Sequence, residues 1–324
     1  MPAVRPCRKS FVSGLSAMLL LFIATASLPA QVTKSTESVT GPGGWTIKFS
    51  YYPALEKLPS GVTQKLEEAP VIILIHGRES DRLLWDKTSA PPGPAGKPFA
   101  EFLQSEGYAV VAVDMRKFGD SKQEGQSEIG PNDYEAMVFD LVAVKLFIQE
   151  QHQSQQLNMR KLGIVALDDM APVAATFAAE DWDTPPHDDH AILSERTPRG
   201  QDVRALVLVS PVMSSGRLQT TAPIRRLANP QLAALVGSPQ LTPAILFVAG
   251  SKDTEGMKAA RSLSRATSRY ERSQLEQLDT NERSQNLFGS PRIRGELPIL
   301  VFLKKNVLDL DVKWTDRRSR RDRD

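Results

Sequence analysis

Several side chains able to move protons or attack an electrophile stand close behind apolar runs. His76 follows VIILI (71–75), Asp114 follows AVVAV (109–113) and Asp168 follows LGIVAL (162–167). Asp253 lies in the GSKD turn behind AILFVA (244–249). Continuous apolar runs of this length have the character of strands buried on both faces, as in a parallel sheet. Loops at the carboxyl ends of such strands meet along one edge, where α/β proteins bind ligands. His76, Asp114, Asp168 and Asp253 are therefore expected on one rim, with Asp169 beside them. Carboxylates gathered there raise one another's pKa by like-charge repulsion, which makes one of them a candidate acid or base. A cation held by these carboxylates with Asp114 is a further reading. Structural roles compete: Asp114 as a turn cap, Asp168 or Asp169 as a helix N-cap, and Asp253 as the cap of a helix starting at Thr254.

The elements that must position these residues alternate along the chain. Residues 45–52 (WTIKFSYY) alternate apolar and polar, as a half-buried strand does. ALVLV (205–209) is a further buried strand, and helices are expected over 98–106, 133–151, 170–179, 254–268 and 297–307. Buried strands separated by helices predict an α/β fold: a mostly parallel sheet with helices on both faces, in three layers. The Pro/Gly-rich stretch 89–97 and the polar stretch 181–202 read as loops. Trp85, in the loop behind His76, is a candidate ligand contact or a packing residue.

In chain order, the pieces resemble the α/β-hydrolase superfamily from about residue 40 to about residue 307. His76-Gly77 is similar to the oxyanion-loop HG motif. The segment from Asp114 to Ser121 is similar to the D-x-R-x-x-G-x-S turn. The segment from Leu162 to Pro172 resembles the strand–elbow–helix that carries the nucleophile, and Gly250-Ser251-Lys252-Asp253 resembles the G-x-x-D turn of the triad acid. The resemblance implies that fold. It also implies Asp168 at the nucleophile position, Asp253 at the acid position, and an oxyanion pocket from His76, Gly77 and Asp169.

The elbow departs from the pattern. Where active members carry G-x-S-x-G, this chain has Ala166-Leu167-Asp168-Asp169-Met170. A register shifted by one puts Asp169 at the tip, and neither register supplies a serine. An aspartate nucleophile is implied by likeness to the haloalkane dehalogenase and epoxide hydrolase branches, but its ester needs a histidine to activate water. The chain has four histidines, and none lies within 191–324, where the resemblance expects the catalytic one. His152 ends a helix, while His187 and His190 precede a strand, so all three belong to the opposite edge. Lys252 neighbours the acid, but a lysine of ordinary pKa near 10.4 is a poor base. Arg116 and Ser121 are expected to brace their turn.

The ends of the chain carry separate signals. Arg5, Arg8 and Lys9 precede an apolar run (11–26) and small residues ending at Ala30. That layout predicts a signal peptide over 1–30, cleaved after Ala30 or Ala26, and hence export to the periplasm or medium. A retained anchor is the competing reading; the run is short for a membrane span. After cleavage no stable span and no cysteine remain, because Cys7 is the only one. The domain is expected over 31–310 and the mixed-charge tail 311–324 is expected to be disordered. A net charge of +2 favours no nucleic-acid partner. There is no phosphate-cradling Gly-rich loop and no Cys/His metal spacing, so neither a cofactor nor a dedicated metal site is expected. The expected function is that of an exported α/β-hydrolase-like protein that binds an unnamed small molecule or protein without Ser–His–Asp turnover. The alternative is a hydrolase using Asp168 as nucleophile or base.

Overall fold

A computed structural model describes Met1 and residues 34–86, 97–125 and 128–323. The expected signal peptide and most of the Pro/Gly-rich stretch lie outside the described residues. The described residues from 34 onward form one unit.

Ten strands occur among the described residues: β1 (Ser35–Thr40), β2 (Thr46–Tyr52), β3 (Val71–Ile75), β4 (Ala109–Val113), β5 (Leu162–Leu167), β6 (Val203–Val209), β7 (Ser214–Ser215), β8 (Leu218–Gln219), β9 (Ala244–Gly250) and β10 (Ser273–Leu278). Eight of them make the main sheet in the order β1-β2-β4-β3-β5-β6-β9-β10, while β7 and β8 form a separate small hairpin. The pairs β1/β2 and β2/β4 are antiparallel, and every later pair in the sheet is parallel. The helices are α1 (Leu83–Asp86), α2 (Phe99–Ser105), α3 (Pro131–Gln153), α4 (Ala171–Asp183), α5 (Thr221–Leu227), α6 (Leu232–Val236), α7 (Thr254–Ala266) and α8 (Glu296–Leu303).

Alternation along the strands divides the core in two. Ile73, Ile75, Val111 and Val113 pack with Leu141 and Ile148 of α3, Val173 and Phe177 of α4, and Leu263 of α7. Ile72, Leu74, Val110 and Ala112 point to the other face, against Phe99 and Leu103 of α2 and Ile299 and Leu303 of α8. These are the three layers expected. β3, β4, β5, β6 and β9 are buried residue by residue, which is why they read as unbroken apolar runs. The strands the sequence did not announce, β1 (STESVT) and β10 (SQLEQL), are the two outer strands of the sheet. Each presents a polar face to solvent and carries little hydrophobic signal.

The tail corrects an expectation. Residues 311–323, expected to be disordered, dock along the edge where the parallel strands begin. Asn158 Nδ2 donates to Val312 O at 2.7 Å, Trp314 Nε1 donates to His152 O at 2.7 Å, and Arg317 Nη1 donates to Pro198 O at 2.9 Å. Arg317 is buried and ion-paired with Asp202. The charge run reads as solvated because its partners, Asp202 and the backbone of 198–200, are remote in sequence. Among the described residues no helix is long and apolar enough to cross a membrane.

Candidate functional site

The turn behind β5 is sharp. Asp168 has φ 54°, in the left-handed region that a side chain with a Cβ seldom adopts. A one-turn 3₁₀ segment, Asp168–Met170, follows and leads directly into α4. This places Asp168 at the tip of the strand-to-helix turn, and of the two registers weighed from sequence it selects the one with Asp168 there. Met170 is fully buried.

Arg283 reaches this tip from the loop behind β10. Its Nη2 donates to Asp168 Oδ1 at 2.7 Å, and its Nη1 donates to Glu255 Oε2 at 3.0 Å. Burial pushes the Asp168 carboxyl up, the Arg283 charge pulls it back, and the Asp253 charge pushes it up again. Burial opposes the charged form of Arg283, but Asp168, Glu255 and Asp253 more than compensate, and its pKa lies above the ordinary arginine value. Sequence reasoning missed Arg283. It sits where the resemblance expects a histidine, in the loop after the last strand, and that strand carries too little apolar signal to have located the loop.

Asp253 N-caps α7, its Oδ1 accepting from Gly256 N at 3.0 Å. Its Oδ2 is buried without a hydrogen-bond partner among the described residues, as are Arg283 Nε and Ser284 Oγ. Ser284 N donates to Ser210 Oγ at 2.9 Å, which ties the loop behind β10 to the end of β6. Gly77 closes the group: a Cβ on it would lie 3.0 Å from Ser284 Oγ and 3.3 Å from Asp168 Cβ. Asp168, Asp253, Gly77 and Arg283 therefore share one rim.

Asp169 points into the fold from the same turn. Tyr134 of α3 donates its hydroxyl to Asp169 Oδ2 at 2.7 Å, while Oδ1 is buried without a partner among the described residues. Burial pushes its carboxyl up to about 6; the Tyr134 hydrogen bond opposes this and the Asp168 charge adds to it.

The other residues singled out from sequence serve the scaffold. His76 is buried; its Nε2 accepts from Met115 N at 3.2 Å and its Nδ1 lies 2.7 Å from Gly77 O. An accepting Nε2 requires the proton on Nδ1, so the ring is neutral, and burial holds its pKa below the ordinary histidine value. Asp114 accepts from Arg82 N at 2.7 Å and Asp120 N at 2.9 Å, and is ion-paired with Arg82, so its oxygens are committed to bracing loops. Arg116 makes a two-pronged ion pair with Asp140, both contacts at 2.6 Å, and Ser121 Oγ bonds Asp114 O at 2.8 Å. Trp85 is buried, its ring 5.8 Å from Phe99 and 5.2 Å from Phe288, so it packs. His152 is buried and held near a pKa of about 4, first by burial, with Nε2 2.9 Å from Thr315 O on the docked tail. His187 and His190 lie between α4 and β6, on the side away from the elbow, and neither bonds Asp168. No group of three or more His, Cys, Asp or Glu among the described residues is arranged to hold a metal ion.

No protein-family model matches the sequence. No curated protein matches it either. Solved structures do match in shape. A dienelactone hydrolase from Anabaena variabilis superposes over 83% of this chain and 95% of its own, at 15% identity and a TM-score of 0.52. An α/β hydrolase from a Penicillium species covers 85% of this chain and 99% of its own, at 13% identity and a TM-score of 0.54. An acylaminoacyl peptidase from Pyrococcus horikoshii covers 87% of this chain at 12% identity and a TM-score of 0.52, and this chain spans 43% of it. With its sheet order, layers and strand-to-helix elbow, this chain has the α/β-hydrolase fold.

Proposed function

We propose that this protein is a binding protein built on the α/β-hydrolase fold, without Ser–His–Asp turnover. The observation that carries the reading is the Asp168–Arg283 ion pair at 2.7 Å. An aspartate nucleophile works through a covalent ester that a base must then hydrolyse. A guanidinium stays protonated throughout the working pH range and has no lone pair to accept a proton. It also ties up the carboxylate oxygen that would attack. Ser284 Oγ, on the same loop, makes no hydrogen bond to an imidazole among the described residues. The test is a screen of the purified chain against p-nitrophenyl esters and epoxides, with Asp168→Ala as control. No turnover is expected; turnover abolished by Asp168→Ala overturns the reading.

A second reading is supported by the left-handed backbone of Asp168, at the tip of a turn whose purpose in this fold is to present a nucleophile. It makes the chain a hydrolase with a rearranged site and predicts an adduct on Asp168, seen by intact mass after exposure to an epoxide. We further propose export of the chain, supported by the basic, apolar and small-residue order of residues 5–30. Amino-terminal sequencing of the protein from an extracytoplasmic fraction tests it, with Gln31 the expected first residue.

A further inference from the structure

At the opposite edge of the sheet, a cavity of ≈ 370 Å³ opens between α3, α4 and the segment 184–202. One wall is apolar: Val142, Leu146, Met159 and Phe177. Val142 and Leu146 are 39% and 57% exposed, which is unusual for large apolar side chains of a helix whose other face is core, so this wall is reachable from solvent.

The other wall is charged. Lys145, Arg199 and Arg317 line it, together with Glu180 and Asp181. Asp202 stands behind, 2.7 Å from Lys145 Nζ and ion-paired with Arg317. Lys145, Arg199 and Arg317 thus meet Glu180, Asp181 and Asp202, three cations against three carboxylates, and Lys145 and Arg317 are already paired. Burial, then the Arg160 charge, lowers the Arg317 pKa to about 9; burial lowers that of Lys145, Asp181 opposes it, and Arg317 and Arg199 add to it.

Two side chains are left with capacity for a ligand. Arg317 is 3% exposed, and its Nε is buried without a hydrogen-bond partner among the described residues. Arg199 is exposed and makes no side-chain ion pair among the described residues. Arg199 and Thr184 also line a second cavity, of ≈ 550 Å³, together with Ile192, Leu193 and Leu235. These three are 59%, 66% and 63% exposed. An unpaired guanidinium thus stands between two solvent-open apolar surfaces.

We infer that this cleft binds an amphipathic carboxylate, with its head at Arg199 and Arg317 and its apolar chain along Val142 and Leu146. A cavity of this size suits a chain of about ten carbons. Arg199, exposed and without a side-chain ion pair among the described residues, selects the anion, and the apolar wall takes the chain out of water. The site is remote from Asp168 and stands independently of the reading given to the rim.

Calorimetric titration of the full chain with decanoate tests it. Saturable binding with a Kd below about 1 mM is expected. The uncharged analogue decanol should give no saturable heat, and Arg199→Glu should raise the decanoate Kd at least about tenfold. Leu146→Asp, at an exposed position with little bearing on folding, should weaken binding similarly, whereas Asp168→Ala should leave it unchanged. No saturable heat with decanoate up to about 5 mM, equal binding of decanol, or a Kd unmoved by Arg199→Glu would each overturn the inference.

Discussion

Arg283 Nη2 lies 2.7 Å from Asp168 Oδ1, so a cation occupies the side of the elbow on which a hydrolase of this fold needs a proton acceptor. Asp253 stands close enough to raise the Asp168 pKa and retains one buried oxygen without a partner among the described residues. Asp253 thus shares the rim with an aspartate and an arginine, the three residues on which the proposed loss of turnover rests.

That geometry predicts what rebuilding the relay should do. The double variant Asp168→Ser/Arg283→His should hydrolyse p-nitrophenyl acetate above the rate of the unaltered chain, by about 10²-fold if the imidazole acts as a base. Each single variant should stay at background. Steady-state assays with Asp253→Ala added to the double variant check the relay, since that change should remove the gain.

Asp169 predicts a dependence of stability on pH. Its folded pKa of about 6 lies above the ordinary aspartate value of 3.8. Between these values the folded chain holds a proton that the unfolded chain has released, so stability is greatest below about pH 4 and falls as pH rises through about 6. Asp169→Asn keeps an acceptor for Tyr134 and removes the titration. The variant should be more stable than the parent at pH 8 by about 1–2 kcal/mol, and the advantage should vanish near pH 4. Urea unfolding at the two pH values measures it.

Arg317 predicts that the docked tail carries stability. Arg317→Met leaves Asp202 with one partner fewer and strands the carbonyls of Pro198 and Gly200, which accept from its Nη1 and Nη2. Breaking a buried pair from one side costs about 3–5 kcal/mol. A fall in thermal midpoint and faster cleavage of the tail by trypsin are expected. Arg318→Met, whose side chain is about half exposed, should change little.

Gly119 predicts a steric failure behind the rim. Its φ is 45°, and a Cβ there would lie 2.3 Å from the Asp114 carboxylate oxygens. Gly119→Ala would displace Asp114 from Arg82 and unseat the loop behind β3. A loss of about 2–4 kcal/mol is expected by denaturant unfolding.

The buried strands were readable in the sequence because each is apolar at every position, and burial on both faces leaves that mark in any window. Asp168, Asp253 and Gly77 were readable for a related reason: each stands at or just past the carboxyl end of such a run, and parallel order alone brings those ends to one edge. The absence of a histidine from the last third of the chain was likewise a matter of composition. What replaced it was not readable. Arg283 meets Asp168 across 115 residues, from a loop whose strand, β10, is an edge strand with a polar face. The tail gave the opposite signal from its actual state, because Arg317 is buried only by grace of Asp202 and the carbonyls beside it. Local pattern reports how much of an element is buried. Which charge meets which is decided by the closing of the sheet, and only the tertiary structure holds that information.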